Sequence, residues 1–349
     1  MLLFPFTGCR KAADSEYSKY SYEFFGVFDT LVEIIGYAKN EAQFRDWAEK
    51  AQSRFTQLHQ LFDIYNDYPG LNNIKTVNEQ AGLQPVSVAR ELIDLVLFSK
   101  KWYDVTHGKV NIALGPVLYL WHEARDAGLA DVSSAKLPDM ELLKAASLYT
   151  DIHKVIVDTD AGTLFLESGM RLDAGAVAKG YATELVALEL QSAGMTSGIV
   201  SCGGNVRIIG SPLDGVRSKF GIGIQNPDGD PHDPDDESLD TVFAADTSLV
   251  TSGDYQRYYW VDGVMYHHLI DPATLLPANY YRAVTVMTRD SGLADFMSSA
   301  VFLLPYGESR RLVEEVGGMD ALWIFADGHM EATDGMKAVL KKMGGASSR

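Results

Sequence analysis

Ile199-Val200-Ser201-Cys202-Gly203-Gly204-Asn205-Val206-Arg207-Ile208-Ile209 is the stretch on which the fold turns. β-Branched residues flank a turn signal, so Ile199–Cys202 and Val206–Ile209 read as two strands with nothing helical between them. Upstream lies a helix from about Gly175 to Ala193, with Gly194 placed to cap its C-terminus. Downstream, strands are expected at Phe220–Ile224, Thr241–Ala245 and Ala283–Met287, then helices at Leu293–Leu304 and Ser309–Val316. Strands come in runs and do not alternate strictly with helices. That pattern specifies an α+β fold of mixed and antiparallel sheets with packed helices, not a doubly wound parallel sheet.

Toward the N-terminus, Tyr22 to Gly36 reads as one long strand through Phe24, Phe28, Thr30, Val32 and Ile34. In Glu41–Phe62, the residues Phe44, Trp47, Ala48, Ala51, Phe55, Leu58 and Phe62 recur at helical spacing and form one face. A second helix is expected near Val88–Tyr103, and a hairpin over Lys154–Leu166 around Asp158-Thr159-Asp160-Ala161-Gly162. Asn66–Gly82 is turn chemistry. Asn226–Asp240 is an acidic, Pro-rich loop whose spacing fits no EF-hand, so it reads as a solvated insertion before it reads as a calcium site.

The chain has 349 residues and a formal net charge of -17, from 30 Lys+Arg against 47 Asp+Glu. An excess of acid this large argues against binding a nucleic-acid backbone, which requires a basic stripe. A phosphate ligand must therefore be held locally, by backbone amides, a few cations or a metal. Two cysteines make no disulfide scaffold. No apolar run approaches the ~18 residues of a membrane-spanning helix. Met1–Cys9 (MLLFPFTGC) ends like a bacterial lipoprotein signal with Cys9 as the lipidated residue, although its apolar part is short and lacks a basic start. The alternative is a disordered stub. Residues 1–20 thus divide off as signal remnant and polar tether, 21–342 as one domain and 343–349 as a disordered tail.

Walker, Rossmann, HExxH and GxSxG templates are absent. Four other constellations carry chemistry, each with a plainer reading beside it. Leu172-Asp173-Ala174-Gly175-Ala176-Val177-Ala178-Lys179-Gly180-Tyr181 puts an acid ahead of a turn that opens a helix, which suits a pyrophosphate; Asp173 is otherwise an N-cap and Lys179 a solvated cation. Gly203-Gly204 lets backbone approach a ligand, with Asn205 tolerating the left-handed conformation, or is an ordinary hairpin turn. Cys202 reads as a buried small hydrophobe. His268, before Asp271-Pro272 and following Thr251-Ser252-Gly253-Asp254-Tyr255, is a candidate general base or a strand-end cap. Asp295 and Ser299, four apart on a helix, pair a carboxylate with a hydroxyl as hard oxygen donors suited to Mg²⁺, or are a first-turn acid and a packed serine.

Taken together, these segments resemble the ApbE family of flavin transferases. LDAGAVAKGYA resembles the family's LDxGxxAKGYA, SCGGNVRIIG its GG-[DN]-[IV] turn, TSGDYQRYY its TSGDYxR, HHLIDPATLLP its HIIDPxTGxP, and ADFMSSAVF its ADALxTAxF. Phe28-Asp29-Thr30 and Asn111-Ile112-Ala113-Leu114-Gly115-Pro116-Val117 match two further elements, and the resemblance runs from about Tyr22 to Val339. It implies a T-fold-related architecture and Mg²⁺-dependent cleavage of FAD, with FMN passed to a Thr or Ser hydroxyl of a target protein and AMP released. It also implies partners among flavoprotein subunits of membrane redox complexes or extracytoplasmic electron-transfer proteins, and a lipid anchor on the extracytoplasmic side of a bacterial membrane. By position, Asp295, Ser299 and the carbonyl of Ala176 would ligate the metal. Phe28, Asn111, Asp173, Lys179, Gly203, Gly204, Ser252 and Ile270 would contact FAD, and His268 would deprotonate the acceptor. Tyr65, Trp121 and Tyr255 are available to stack a ring, though core packing is the plainer role for each.

Three positions depart from the family pattern. Asn111 stands where many relatives have Asp, and Ser299 replaces Thr while keeping its hydroxyl. Leu275 replaces a Gly, from which the expectation is that this turn needs no positive φ. Two alternative functions remain at this level: an FAD pyrophosphatase using water as acceptor, and a non-catalytic FAD-binding lipoprotein.

Overall fold

A computed structural model describes residues 16–229 and 238–349. Cys9 and most of the acidic Pro-rich loop lie outside the described residues. The chain opens with a hairpin, β1 (Ser18–Val27) and β2 (Thr30–Ala38), followed by α1 (Glu41–Phe62), α2 (Ile74–Glu79), β3 (Val86–Ser87), α3 (Arg90–Val105), α4 (Gly115–Ala130) and α5 (Met140–Ser147). Next come a short hairpin, β4 (Ile156–Asp158) and β5 (Thr163–Phe165), α6 (Ala178–Ser192), and the central hairpin β6 (Gly198–Cys202) and β7 (Asn205–Ile209). β8 (Phe220–Gln225), β9 (Ser238–Ala244), β10 (Ser248–Gly253), β11 (Tyr258–Val261), β12 (Val264–His267) and β13 (Ala283–Thr288) follow. The chain closes with α7 (Ser291–Phe302), α8 (Tyr306–Val316), β14 (Asp320–Ile324), β15 (Met330–Ala332), α9 (Asp334–Val339) and α10 (Lys341–Gly344).

Eight strands build one sheet in the order β1-β2-β6-β7-β10-β13-β14-β15, every neighbouring pair antiparallel. On one face Val32, Ile34, Val200, Val284 and Val286 pack against Phe55 and Leu58 of α1, Val186 of α6, and Phe296 and Met297 of α7. On the other, Ile208, Leu249 and Leu322 meet Phe220 and Val242 of the β8–β9 hairpin and Met336 of α9. A third apolar cluster joins Val117 and Trp121 of α4 to Tyr259, Val261, Ile270 and Leu275. The α+β expectation holds. Among the described residues, no helix is long and apolar enough to cross a membrane.

Several local expectations need correction. The single strand through Tyr22–Gly36 is a hairpin, because Phe28 and Asp29 take left-handed φ values of 51° and 53° and reverse the chain in two residues. The Asn-rich segment 66–82 contains α2, since Asn73 and Thr76 close a capping box there. The helix expected from Gly175 starts at Ala178, and its N-cap position is Val177, so Asp173 is not its cap. The last residues, expected as a disordered tail, include α10, and the Ser348 carbonyl accepts from the Ser218 and Lys219 amides at 2.8 and 3.2 Å.

Candidate active site

The central hairpin, the start of α6 and the middle of α7 converge on Asp295. Its side chain is 4% exposed, and Oδ2 accepts from the Gly180 amide (2.7 Å) and from Asn205 Nδ2 (3.0 Å). Burial raises its pKa, while the Lys179 charge and these two bonds pull it back down. Gly180 makes this approach possible: a Cβ there would lie 2.4 Å from both Asp295 Cβ and the Ser291 carbonyl. The opening of α7 is pinned by Glu184 on α6, whose Oε2 accepts from the Ser291 amide (2.8 Å) and faces Arg207 Nε (3.2 Å).

The donor set suits a hard cation. Among the described residues no hydrogen bond reaches Asp295 Oδ1. In an ordinary helix the Gly180 amide would bond to the carbonyl four residues earlier, that of Ala176. It bonds to Asp295 instead, and among the described residues no other donor takes the Ala176 oxygen. Ser299, one turn after Asp295, contributes a hydroxyl 3.4 Å from Ser252 Oγ, which in turn lies 2.8 Å from Ser298 Oγ. One carboxylate oxygen, one free carbonyl and a hydroxyl fit Mg²⁺, which is held through few protein ligands and keeps waters. No group of three His, Cys, Asp or Glu side chains able to hold a metal occurs among the described residues, so a tight site of that kind is absent.

His268 follows β12 directly. Its Nδ1 is 3.2 Å from the Arg257 carbonyl, which can only accept, so Nδ1 carries the proton and Nε2 keeps a free lone pair. Burial, with the positive charges of Arg257 and Lys179, pushes its pKa down to about 3, which leaves the ring neutral. His267 is different: it is 3% exposed and both nitrogens are used, by the Ala278 carbonyl and the Leu269 amide. Lys179 makes no ion pair among the described residues, yet its charge acts on His268, Asp295 and Cys202. Cys202 is fully buried with its thiol pushed up to about 12, as expected of a core residue.

Asp173 is 8% exposed; its amide donates to the Ile112 carbonyl (2.7 Å), and its Oδ1 accepts from the Gly175 amide (2.9 Å). Its Oδ2 faces His122 Nε2 at 3.9 Å, and Tyr65 Oη lies 3.1 Å from His122 Nδ1. Asn111 props this corner from beneath, its Oδ1 accepting from the Ala113 amide and its Nδ2 donating to the Thr150 carbonyl, both at 2.8 Å. Ile270 is buried and bridges to Pro277. Phe28 sits in the left-handed turn of β1–β2, with its amide on His59 Nδ1 (3.2 Å). The neighbouring Gly203-Gly204 turn has φ of 57° and 85°; a Cβ on Gly203 would strike Thr30, whereas one on Gly204 would meet nothing. Only Gly204 faces open space.

Two sequence expectations fail here. Asn205 is not left-handed: it is the first residue of β7, and its amide serves Asp295 instead. Leu275 does need positive φ, at 61°, and is held there by burial in the third cluster and by Trp121 Nε1 donating to its carbonyl (3.0 Å). Sequence reasoning also missed His122 and the role of Gly180. The glycine stood within the quoted motif, but His122 carried no signal in spacing or composition.

The family model described as the ApbE family matches residues 28–323. An FAD:protein FMN transferase of Treponema pallidum is 32% identical over 323 residues, covering 89% of this chain and 86% of that protein. One from Klebsiella pneumoniae is 28% identical, covering 77% and 81%. The crystal structure of the ApbE protein from Thermotoga maritima superposes with a TM-score of 0.80 at 27% identity, covering 92% of this chain and 99% of that one.

Proposed function

The chain belongs to the ApbE family, and from that premise we propose that it transfers FMN from FAD to a Thr or Ser hydroxyl of a partner flavoprotein, releasing AMP. The carrying observation is that His268, with its Nε2 lone pair free, and Asp295, with one oxygen unclaimed, both lie under the charge of Lys179. His268 takes the acceptor proton as the hydroxyl oxygen bonds to the FMN phosphorus; the P–O bond to the AMP phosphate breaks, and AMP leaves with that electron pair. A neutral histidine placed at a weak nucleophile contributes roughly 10²–10⁴ in rate. Lys179 lends positive charge to the anionic diphosphate, and Gly204 lets the backbone approach it closely.

Asp295, Ser299 and the Ala176 carbonyl would hold Mg²⁺, which when bound neutralises charge developing on the diphosphate. Asn205 and Gly180 fix the Asp295 carboxylate in one orientation, so that its other oxygen stays available. The reading extends to an extracytoplasmic location, with a lipid at Cys9 as the membrane anchor and a redox flavoprotein as acceptor.

AMP release from FAD with Mg²⁺ tests this, measured with and without an acceptor flavoprotein bearing a target threonine, followed by in-gel flavin fluorescence. A fluorescent acceptor band together with AMP is expected, and His268→Ala should lower both by ~10²-fold or more. AMP at the same rate without acceptor would instead establish a pyrophosphatase, and bound FAD with no AMP a flavin carrier.

A further inference from the structure

The hydroxyls of Ser252 on β10 and of Ser298 and Ser299 on α7 lie in a row, and their partners leave one way to place the protons. Ser298 is fully buried, and its hydroxyl donates to the Asp295 carbonyl at 2.9 Å. A carbonyl oxygen can only accept, so the single Ser298 proton is spent there. At the 2.8 Å contact with Ser252 Oγ, Ser298 is therefore the acceptor and Ser252 the donor. With its own proton used, Ser252 can only accept across the longer 3.4 Å approach to Ser299. Among the described residues, the Ser299 hydroxyl has no other hydrogen-bond partner. The protons thus run one way, from Ser299 to Ser252 to Ser298 to the Asp295 backbone, and no donor points at the Ser299 oxygen.

Resting on the reading that Asp295, Ser299 and the Ala176 carbonyl hold a hard divalent cation, we infer that Ser298 and Ser252 are positioning residues that order the Ser299 proton. A hydroxyl whose proton faces a cation repels it, whereas one whose proton is drawn elsewhere offers its lone pairs. The order starts from α7 itself. Ser298 lies three residues after Asp295, so its hydroxyl reaches back to that carbonyl, as a serine inside a helix can. Ser298 therefore takes its direction from the backbone of the residue that carries the site's carboxylate. Without the Ser298 hydroxyl, the Ser252 proton loses its acceptor and turns to the one oxygen left within reach, that of Ser299. It then occupies a lone pair that the cation needs. Groups that orient a ligand in this way are worth about 10–100-fold in metal affinity.

Mn²⁺ is the probe, its binding to the full chain followed by the loss of its free-ion EPR signal with FAD present and no acceptor. Wild-type binding that Ser299→Ala weakens checks the metal site separately; without it the site falls whatever Ser298 does, and the proton order falls with it. Ser298→Ala should weaken Mn²⁺ by ~10-fold or more. In a Ser299→Ala background the same substitution should cost nothing further, because Ser298 acts only through Ser299. Adding Ser252→Ala to Ser298→Ala removes the misdirected proton and should restore part of the affinity. A packing defect or a misfolded variant would show neither the vanishing cost nor the recovery. Ser298→Ala binding Mn²⁺ as the wild type does, losing as much affinity without Ser299 as with it, or gaining nothing from Ser252→Ala, overturns the assignment.

Discussion

Asn111 shows how a single atom decides a substitution. Its Nδ2 donates to the Thr150 carbonyl while its Oδ1 caps the next turn, so an Asp at this position would keep the cap and lose the donor. Asn111→Asp should destabilise the fold by about 1–3 kcal/mol, read from the denaturation midpoint, because a carboxylate is left facing a carbonyl. His268 supplies a pH signature. Its folded pKa, about 3, lies below the ordinary 6.5, so between those values the unfolded chain takes up a proton that the folded chain refuses. Stability therefore falls as pH drops through that window, and half-buried His122 and buried His267 act in the same direction. Melting temperatures at pH 7.5 and 5.5 should differ less for His268→Gln than for the wild type.

Among the elements, the contact of α6 with α7 is the one the site depends on. Gly180→Ala places a methyl against the Ser291 carbonyl and the Asp295 Cβ, neither of which can swing away, so the helices must part. Overpacking of this kind costs about 1–3 kcal/mol. Because the Gly180 amide also orients Asp295, transfer activity should fall far more than the melting temperature implies. Most elements were legible from periodicity: α1 runs from Glu41 to Phe62 as its apolar spacing indicates, and the β6–β7 hairpin lies where its glycines put it. What stayed hidden depended on tertiary partners. The β1–β2 reversal runs through Phe28 and Asp29 with no glycine in the turn, and Leu275 is held left-handed by Trp121, 154 residues away. Likewise Asp295, His268 and Lys179 could be nominated from motifs, whereas the partners Asn205 and His122 required knowing which strand and helix face them.

At the scale of the whole molecule, the formal charge of -17 opposes the arrival of FAD and of any acidic acceptor. Local cations such as Lys179 act only within about 10 Å at 0.1 M salt. The association rate of FAD, followed by stopped-flow fluorescence, should therefore rise as ionic strength goes from 10 to 150 mM, the reverse of an enzyme steered by a basic funnel. The sheet itself carries a temporal consequence. β2 ends at Ala38 and its sheet neighbour β6 begins at Gly198, about 160 residues further along the chain. At ~5–20 residues per second a ribosome needs roughly 10–30 s to bridge that interval. Throughout it the first hairpin holds Val32 and Ile34 ready for a partner not yet synthesised, and a lone hairpin is only marginally stable in water. A nascent chain halted before residue 198 should thus be bound by chaperones and open to protease, and one extended past β7 should acquire resistance abruptly.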